Sequence, residues 1–419
     1  MSFLSFGLIE PINQALQKNN FLTPTPIQIK AIPHILKNRD ILASAQTGTG
    51  KTAAFCLPLL NFIGHSRPGH KQKSLSPDVL ILAPTRELAN QIEKEIIQFS
   101  RFMRVNSLAI TGGVSYKLQN RLLKNHLHFV VATPGRLMDL MHQRKINLKY
   151  IHAMVLDEAD RMLDMGFMPD IKKIYDATSG KQQMLMFTAT LNKGIEKIAQ
   201  SFLKDPLRVS AESKIEAHKN IKQFLYSVKN YDHKKKVLEK ILSDQELNQA
   251  IIFTSTKRDA DKLSRDLFLT NFISKPLHGD LSQRQRTQII DRFKDNKLKI
   301  LVATDIAARG IDVKEVTHVI NFDLPRKAED YIHRIGRTGR ADRQGKAYSL
   351  VTNNDRPMIT KIERYAKVSI ELLTIEGELQ EEDFRSEPTK KIFKKKFKSK
   401  KKLSPKRHSN KTQTFSHRS

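Results

Sequence analysis

Short apolar runs of three to five residues recur along this chain, each separated from the next by an amphipathic or polar stretch. Runs at 41–44, 79–83, 108–110, 129–132, 154–156 and 184–187 are followed, after a gap, by runs at 224–228, 250–253, 300–303, 318–321 and 347–351. A run with no polar alternation has to be buried on both faces. When helical stretches such as 87–99 stand between such runs, the arrangement is a parallel sheet covered on both sides. The pattern therefore predicts an α/β chain with two βα arrays. The first array spans 1–210 and the second 221–371. The polar segment AESKIEAHKN at 211–220 joins them, and a tail follows at 372–419. No repeat of 20–50 residues is visible within either half.

The chain has 419 residues, of which 39% are hydrophobic, enough for two or three cores of ordinary size. Wholesale disorder is thereby excluded. A single cysteine, Cys56, rules out a disulfide framework or a cysteine-based metal cluster. No run approaches the 18 apolar residues of a membrane helix, and the N-terminus MSFLSFGLIEPINQ lacks the basic and apolar regions of a secretory signal. A cytoplasmic protein is expected. The formal net charge is +30, with 73 Lys and Arg against 43 Asp and Glu, so a polyanionic partner is expected. From Lys390 onward the chain carries 13 Lys and Arg and no acidic residue. Such a segment cannot bury a core and reads as a disordered basic arm, suited to phosphates or to solubility.

Ligands of parallel sheets sit at the carboxyl ends of strands, and the motifs fall there. Directly after the first run comes Ala45-Gln46-Thr47-Gly48-Thr49-Gly50-Lys51-Thr52. Glycines let the backbone curl its N–H groups around a phosphate, Lys51 reaches the β- and γ-phosphates, and the Thr52 hydroxyl suits Mg²⁺. Asp157-Glu158-Ala159-Asp160 follows another run. Asp157 suits Mg²⁺, and Glu158 can orient and deprotonate an attacking water. The bland alternative is an acidic helix start favoured by the dipole. In the second array, His333-Arg334-Ile335-Gly336-Arg337-Thr338-Gly339-Arg340 sets three arginines at three-residue spacing. They form either a solvated basic helix or arginine fingers reaching γ-phosphate charge. Residues 304–312 also follow a run, but chemistry alone gives them no role.

In this order, the motifs resemble those of the DEAD-box ATP-dependent RNA helicases, over residues 3–371. The resemblance implies two tandem RecA-like domains, each a parallel sheet flanked by helices. Phe3 and Phe21…Pro24-Thr25-Pro26-Ile27-Gln28 are similar to the family's adenine-reading motif, in which Gln28 pairs with the adenine edge. The resemblance gives RNA-backbone roles to Pro84-Thr85-Arg86, Gly112-Gly113, Thr133-Pro134-Gly135-Arg136, Gly279 and Thr304. It gives ATP–RNA coupling to Thr188, Thr190, Asp160 and His333. Asp312 takes the ribose, and Arg337 and Arg340 the γ-phosphate. His278-Gly279-Asp280 with Gln283 and Arg286 resembles a further coupling element. Residues 160–167, Asp-Arg-Met-Leu-Asp-Met-Gly-Phe, resemble the bacterial RhlE-type subgroup. ATP and Mg²⁺ are the implied cofactors and RNA the implied partner, with ribosomal precursors and RNA decay both compatible.

Two positions depart from the family pattern. Thr188-Ala189-Thr190 replaces the usual Ser-Ala-Thr, keeping the hydroxyl and adding a methyl. Asn20 stands where glycine is common, and asparagine tolerates left-handed backbone. Three other readings stay open on the residues alone. They are a DNA translocase on the same paired sheets, an RNA-annealing protein whose ATP site is only a switch, and a small-molecule kinase. Glu158, Arg337 and Arg340 argue against the switch, and the second array and the tail against the kinase.

Overall fold

The structure is a computed structural model that describes residues 2–45, 48–65, 76–123, 125–210, 220–308, 316–339 and 344–373. The apolar runs pair as two all-parallel sheets. The first contains β1 (Ile41–Ser44), β2 (Val79–Leu82), β3 (Ser107–Ile110), β4 (Phe129–Ala132), β5 (Ala153–Leu156), β6 (Gln183–Thr188) and β7 (Leu207–Ser210), in the order β3-β4-β2-β5-β6-β1-β7. The second contains β8 (Ile221–Ser227), β9 (Ala250–Phe253), β10 (Ser274–Leu277), β11 (Ile300–Ala303), β12 (His318–Asn321), β13 (Gly345–Val351) and β14 (Glu371–Leu373), in the order β10-β11-β9-β12-β13-β8-β14. Subtracting seven from each label of the second sheet reproduces the order of the first. The chain builds one topology twice.

Successive strand residues point to opposite faces, so each sheet serves two cores. Ile41 and Ala43 of β1, with Val79 and Ile81 of β2, pack under the helices Pro26–Leu36, Lys51–His65 and Arg86–Phe99. Leu42, Leu80 and Leu82 face the helices Pro134–His142, Met168–Asp176 and Lys193–Phe202. The second sheet divides likewise. Ala250 and Ile252 lie on one side of β9, and Ile251 and Phe253 on the other. Cys56 is fully buried in the first core. Among the described residues no helix is long and apolar enough to cross a membrane.

Three strands were not expected from the sequence: β7, β10 and β14. Among the described residues each lies at a sheet edge, where polar residues are tolerated. Arg208 of β7, Lys275 of β10 and Glu371 of β14 are exposed, and Pro276 interrupts the apolar character of β10. The expected end of the second array, residue 371, falls on the first residue of β14. The segment expected as a linker lies outside the described residues except for residue 220. The expected tail does so except for residues 372 and 373.

Register aligns the strand ends that carry chemistry. Ser44 pairs with Thr188 on one side and Ser210 on the other, while Leu156 pairs with Leu82 and Met186. The loops after β1, β5 and β6 therefore emerge together. Phe187 anchors this edge from below, fully buried, its ring 5.1 Å from that of Phe55. Replacing Phe187 by alanine is expected to cost about 3–5 kcal/mol in the first sheet's stability. Urea denaturation followed by circular dichroism checks this, and a loss below about 1 kcal/mol contradicts the packing described.

Candidate active site

The loop after β1 leaves the sheet beside β6, where Ala45 N donates to Thr188 O at 3.0 Å. Gly48 and Gly50 both have φ of +86°, a region that side chains rarely enter. The helix Lys51–His65 starts immediately afterwards. Lys51 is 6% exposed, and its Nζ is buried without a hydrogen-bond partner. Burying an unpaired ammonium costs several kcal/mol, so the position calls for an anion. Gln46 and Thr47 lie outside the described residues.

Across from Lys51, the end of β5 carries Asp157 and Glu158, both almost fully buried. Burial pushes the Asp157 carboxyl up to about 6, helped by the Glu158 and Asp160 charges, and opposed by Lys51 and by the Glu158 N–H. That N–H donates to Asp157 Oδ1 at 3.0 Å. Glu158 has left-handed backbone, φ +54° and ψ +50°, a strained choice for a non-glycine residue. Its Oε2 pairs with Arg161 Nη1 at 2.9 Å.

Asp160 ties this corner to the next strand end. Its Oδ2 accepts from Ala189 N at 3.1 Å, Thr190 N at 3.0 Å and Thr190 Oγ1 at 3.1 Å. Thr188 is fully buried, and its hydroxyl donates to Thr190 O at 2.8 Å. The extra methyl of Thr188 therefore sits inside the fold while the hydroxyl bond is made. Gln28 is also buried, with both ends of its amide engaged. Oε1 accepts from Thr25 N at 2.9 Å, and Nε2 donates to Gly50 O at 3.0 Å. Each end keeps one further hydrogen-bonding position, the second Nε2 hydrogen and the second Oε1 lone pair, for an adenine edge. Phe21 stands at the rim, 37% exposed and edge-on to Phe99, and Asn20 before it has φ of +57°.

The residues expected to hold RNA occupy other strand ends. After β2, Pro84 is buried and Thr85 caps the helix Arg86–Phe99, its hydroxyl accepting from Leu88 N at 3.3 Å. Arg86 lies against the turn after β3, so closely that a Cβ on Gly112 would stand 2.8 Å from its Nη2. Gly113 adds a φ of +78°. After β4, Thr133, Pro134 and Gly135 open the helix Pro134–His142, and Gly135 faces open space. Arg136 bonds to Gln119 Oε1 and to Val114 O, both at 3.1 Å. On the second sheet, exposed Gly279 follows β10. Thr304 follows β11, its N donating to Leu277 O at 3.2 Å.

The two halves meet around this region. Glu87 Oε1 accepts from Arg286 Nε at 2.9 Å and from Gln283 Nε2 at 3.4 Å. Lys327 Nζ lies 2.6 Å from Asp164 Oδ1. Arg337 is 6% exposed. With Phe21, Gln28, Lys51, Thr52 and Asp157 it lines one cleft of about 960 Å³. Gly112, Arg136, Gly279 and Thr304 do not line it. The first of the three spaced arginines does not reach the cleft either. Arg334 makes a bidentate pair with Asp305 at 2.6 and 2.7 Å and donates to Asn321 Oδ1 at 3.0 Å, so it is a structural residue rather than a finger. His333 borders a small space shared with Arg161 and Arg337. Asp312 and Arg340 lie outside the described residues.

Sequence reading missed Arg161 and the strain at Glu158. The i,i+3 spacing of opposite charges was the available signal for the pair. A half-buried group of Asp78, His126 and His128 lies away from the cleft, with ligand atoms within 4.8 Å of one another. Its hydrogen bonding disfavours metal binding. His128 Nδ1 accepts from Asn106 N at 3.0 Å, so in the neutral ring the proton sits on Nε2, the nitrogen a metal would need.

Residues 25–198 match the family described as DEAD/DEAH box helicase, and residues 233–342 the helicase conserved C-terminal domain. The chain is 41% identical over 373 residues to the DEAD-box ATP-dependent RNA helicase CshA of Geobacillus kaustophilus, covering 88% of this chain and 78% of that one. It is 39% identical over 374 residues to RhpA of Helicobacter pylori, covering 89% and 74%. It superposes on S. cerevisiae Dbp5 bound to RNA and ADP BeF3 with a TM-score of 0.80 at 32% identity, covering 89% of this chain and 95% of that one. For Mss116 bound to ssRNA and UDP-BeF the TM-score is 0.79 at 29% identity, covering 90% and 79%. The two parallel sheets are thus tandem RecA-like domains, as the motifs implied. The chain belongs to the DEAD-box ATP-dependent RNA helicases.

Proposed function

We propose that this helicase hydrolyses ATP in the cleft between its two sheets and uses the cycle to clamp RNA and open short duplexes locally. The observation that carries the reading is the buried, unpartnered Lys51 ammonium, set at a glycine loop and sharing its cleft with Asp157, Glu158 and Arg337. Backbone N–H groups over Ala45–Thr52 cradle the phosphates, and Lys51 neutralises the β- and γ-oxygens. Thr52 and Asp157 are the residues suited to hold Mg²⁺, which supplies charge neutralisation at the phosphates. Glu158 takes a proton from the attacking water as the new bond to γ-phosphorus forms and the bond to ADP breaks. Arg337 and Arg340 stabilise the transition-state charge from the second domain. Phe21 and Gln28 receive the adenine and Asp312 the ribose.

The RNA backbone runs along Pro84, Thr85, Arg86, Gly112, Gly113, Thr133, Pro134, Gly135, Arg136, Gly279 and Thr304. Contacts to phosphate and sugar imply weak sequence preference. Asp160, Thr188, Thr190 and His333 couple the two ligands. The working division is 1–210 and 221–371 for the domains, 211–220 for the linker and 372–419 for the basic tail. The RhlE-type subgroup rests on residues 160–167. A cytoplasmic role in ribosome assembly or RNA decay fits the charge. Crosslinking the protein to RNA in cells and sequencing what it holds tests the substrate assignment, and recovery of DNA in place of RNA overturns it.

Lys51→Ala is expected to abolish RNA-stimulated ATPase and unwinding while ATP-independent RNA binding persists. Substantial unwinding by the purified variant contradicts the role of Lys51. Glu158→Gln keeps the shape and removes the base, so hydrolysis should slow about a hundredfold or more. Release from RNA in the presence of ATP should slow with it, as followed by fluorescence anisotropy.

Asp157 adds a pH dependence of defined sign. Its carboxyl is raised from an ordinary 3.8 to about 6, so below about pH 6 it is protonated and a poor cation ligand. Mg²⁺-dependent nucleotide affinity should fall between pH 7.5 and 5.5, and Asp157→Asn should flatten that profile. The effect on folding runs the other way. The folded state favours the protonated form, so this group's stabilising contribution is complete below about 3.8 and is lost as pH rises through about 6.

A further inference from the structure

We propose that Arg161 is a positioning residue for ATP hydrolysis. It holds the Glu158 carboxylate in its working place. The inference rests on the role proposed above for Glu158.

Glu158 and Arg161 are both nearly inaccessible, with side chains 4% and 3% exposed, and their ion pair is 2.9 Å long. Breaking one side of such a buried pair strands the other charge, so Arg161 is strongly coupled to whatever Glu158 does. Two constraints fix Glu158. Left-handed backbone at φ +54° sets the direction in which the side chain leaves the chain. Arg161 Nη1 then fixes the far end through Oε2, leaving Oε1 as the oxygen to receive a water's proton. Arg161 is itself anchored, its backbone N donating to Glu158 O at 3.0 Å and to Asp160 Oδ1 at 3.1 Å. Asp160 is the residue that bonds Ala189 and Thr190, so the anchor belongs to the same rigid corner.

Arg161 also stands next to the second domain, bordering one small pocket with Asp305, His333, Arg334 and Arg337. Arg334 is already committed to Asp305. Without Arg161, Glu158 would be a buried, uncompensated carboxylate with nothing to hold it toward the water it is proposed to activate.

The test uses the full-length protein with Arg161→Met, Arg161→Lys and Glu158→Gln, singly and with each Arg161 change combined with Glu158→Gln. Single-turnover hydrolysis in saturating RNA, KM for ATP, and RNA release in ATP are measured. Arg161→Met is expected to lower the hydrolysis rate tenfold or more, to change KM less than threefold, and to slow RNA release. Arg161→Lys, which keeps the charge but not the fork, should recover part of the rate. In the Glu158→Gln background either Arg161 change should cost less than about twofold further, because the carboxylate it serves is gone. A rate within twofold of the unmutated protein for Arg161→Met overturns the inference. So does an equal loss in the Glu158→Gln background, which a general structural defect would produce. Should Arg161→Met fail to fold, the Arg161→Lys pair of measurements decides alone. If Glu158→Gln by itself leaves hydrolysis unchanged, the role of Glu158 fails instead, and the two failures are distinguished.

Discussion

A lysine ammonium buried without a partner is the constraint around which the first domain is arranged. Lys51 stands at the start of its helix only because β1 ends beside β6 and because two glycines turn the intervening loop through left-handed backbone. The nearby acidic residues are themselves buried, which raises the proton affinity of Asp157 rather than giving Lys51 a tight ion pair. Cation and carboxylates share one corner of the cleft without direct mutual hydrogen bonding. An arrangement of this kind is costly when empty and relieved by a polyanion with a divalent cation, which is the chemistry of a nucleoside triphosphate.

The same strand order occurs in both halves, yet the charges differ at the strand ends. In the first domain the ends of β1, β5 and β6 bring Lys51, Asp157, Glu158 and Asp160 together. In the second, the helix Ala328–Ile335 supplies Arg334 and leads into Arg337. Of these two arginines Arg337 lines the cleft, while Asp305 and Asn321 hold Arg334. Among the described residues, the contacts that join the halves include two charge pairs, Glu87 to Arg286 and Asp164 to Lys327. The more exposed Asp164–Lys327 pair can part and reform at modest cost, unlike a shared hydrophobic core.

Much of this was legible in the sequence. The central strands read clearly because burial on both faces requires unbroken apolar runs, as at Ile41–Ser44 and Ala250–Phe253. The edge strands did not, because an edge has less to bury, and Lys275-Pro276 or Arg208 looks like loop there. In the site, the glycine loop and the acidic run could be placed from spacing alone. Three features could not. The dual engagement of Gln28 depends on how the helix Pro26–Leu36 docks against Gly50. The structural role of Arg334 depends on a partner 29 residues away. The left-handed backbone of Glu158 is a property of the turn, and glutamate gives no local sign of it.

The outer strands also bear on how the molecule behaves in a crowded cell. An unprotected sheet edge presents free N–H and C=O groups that can recruit a strand from another copy. Here Pro276 removes one donor from β10, and the neighbouring Lys275 places a charge beside it, while exposed Arg208 and Glu371 stand on β7 and β14. These residues weaken the sheets slightly as binders of further strands. Charge and proline on an outer strand disfavour the addition of a further strand there.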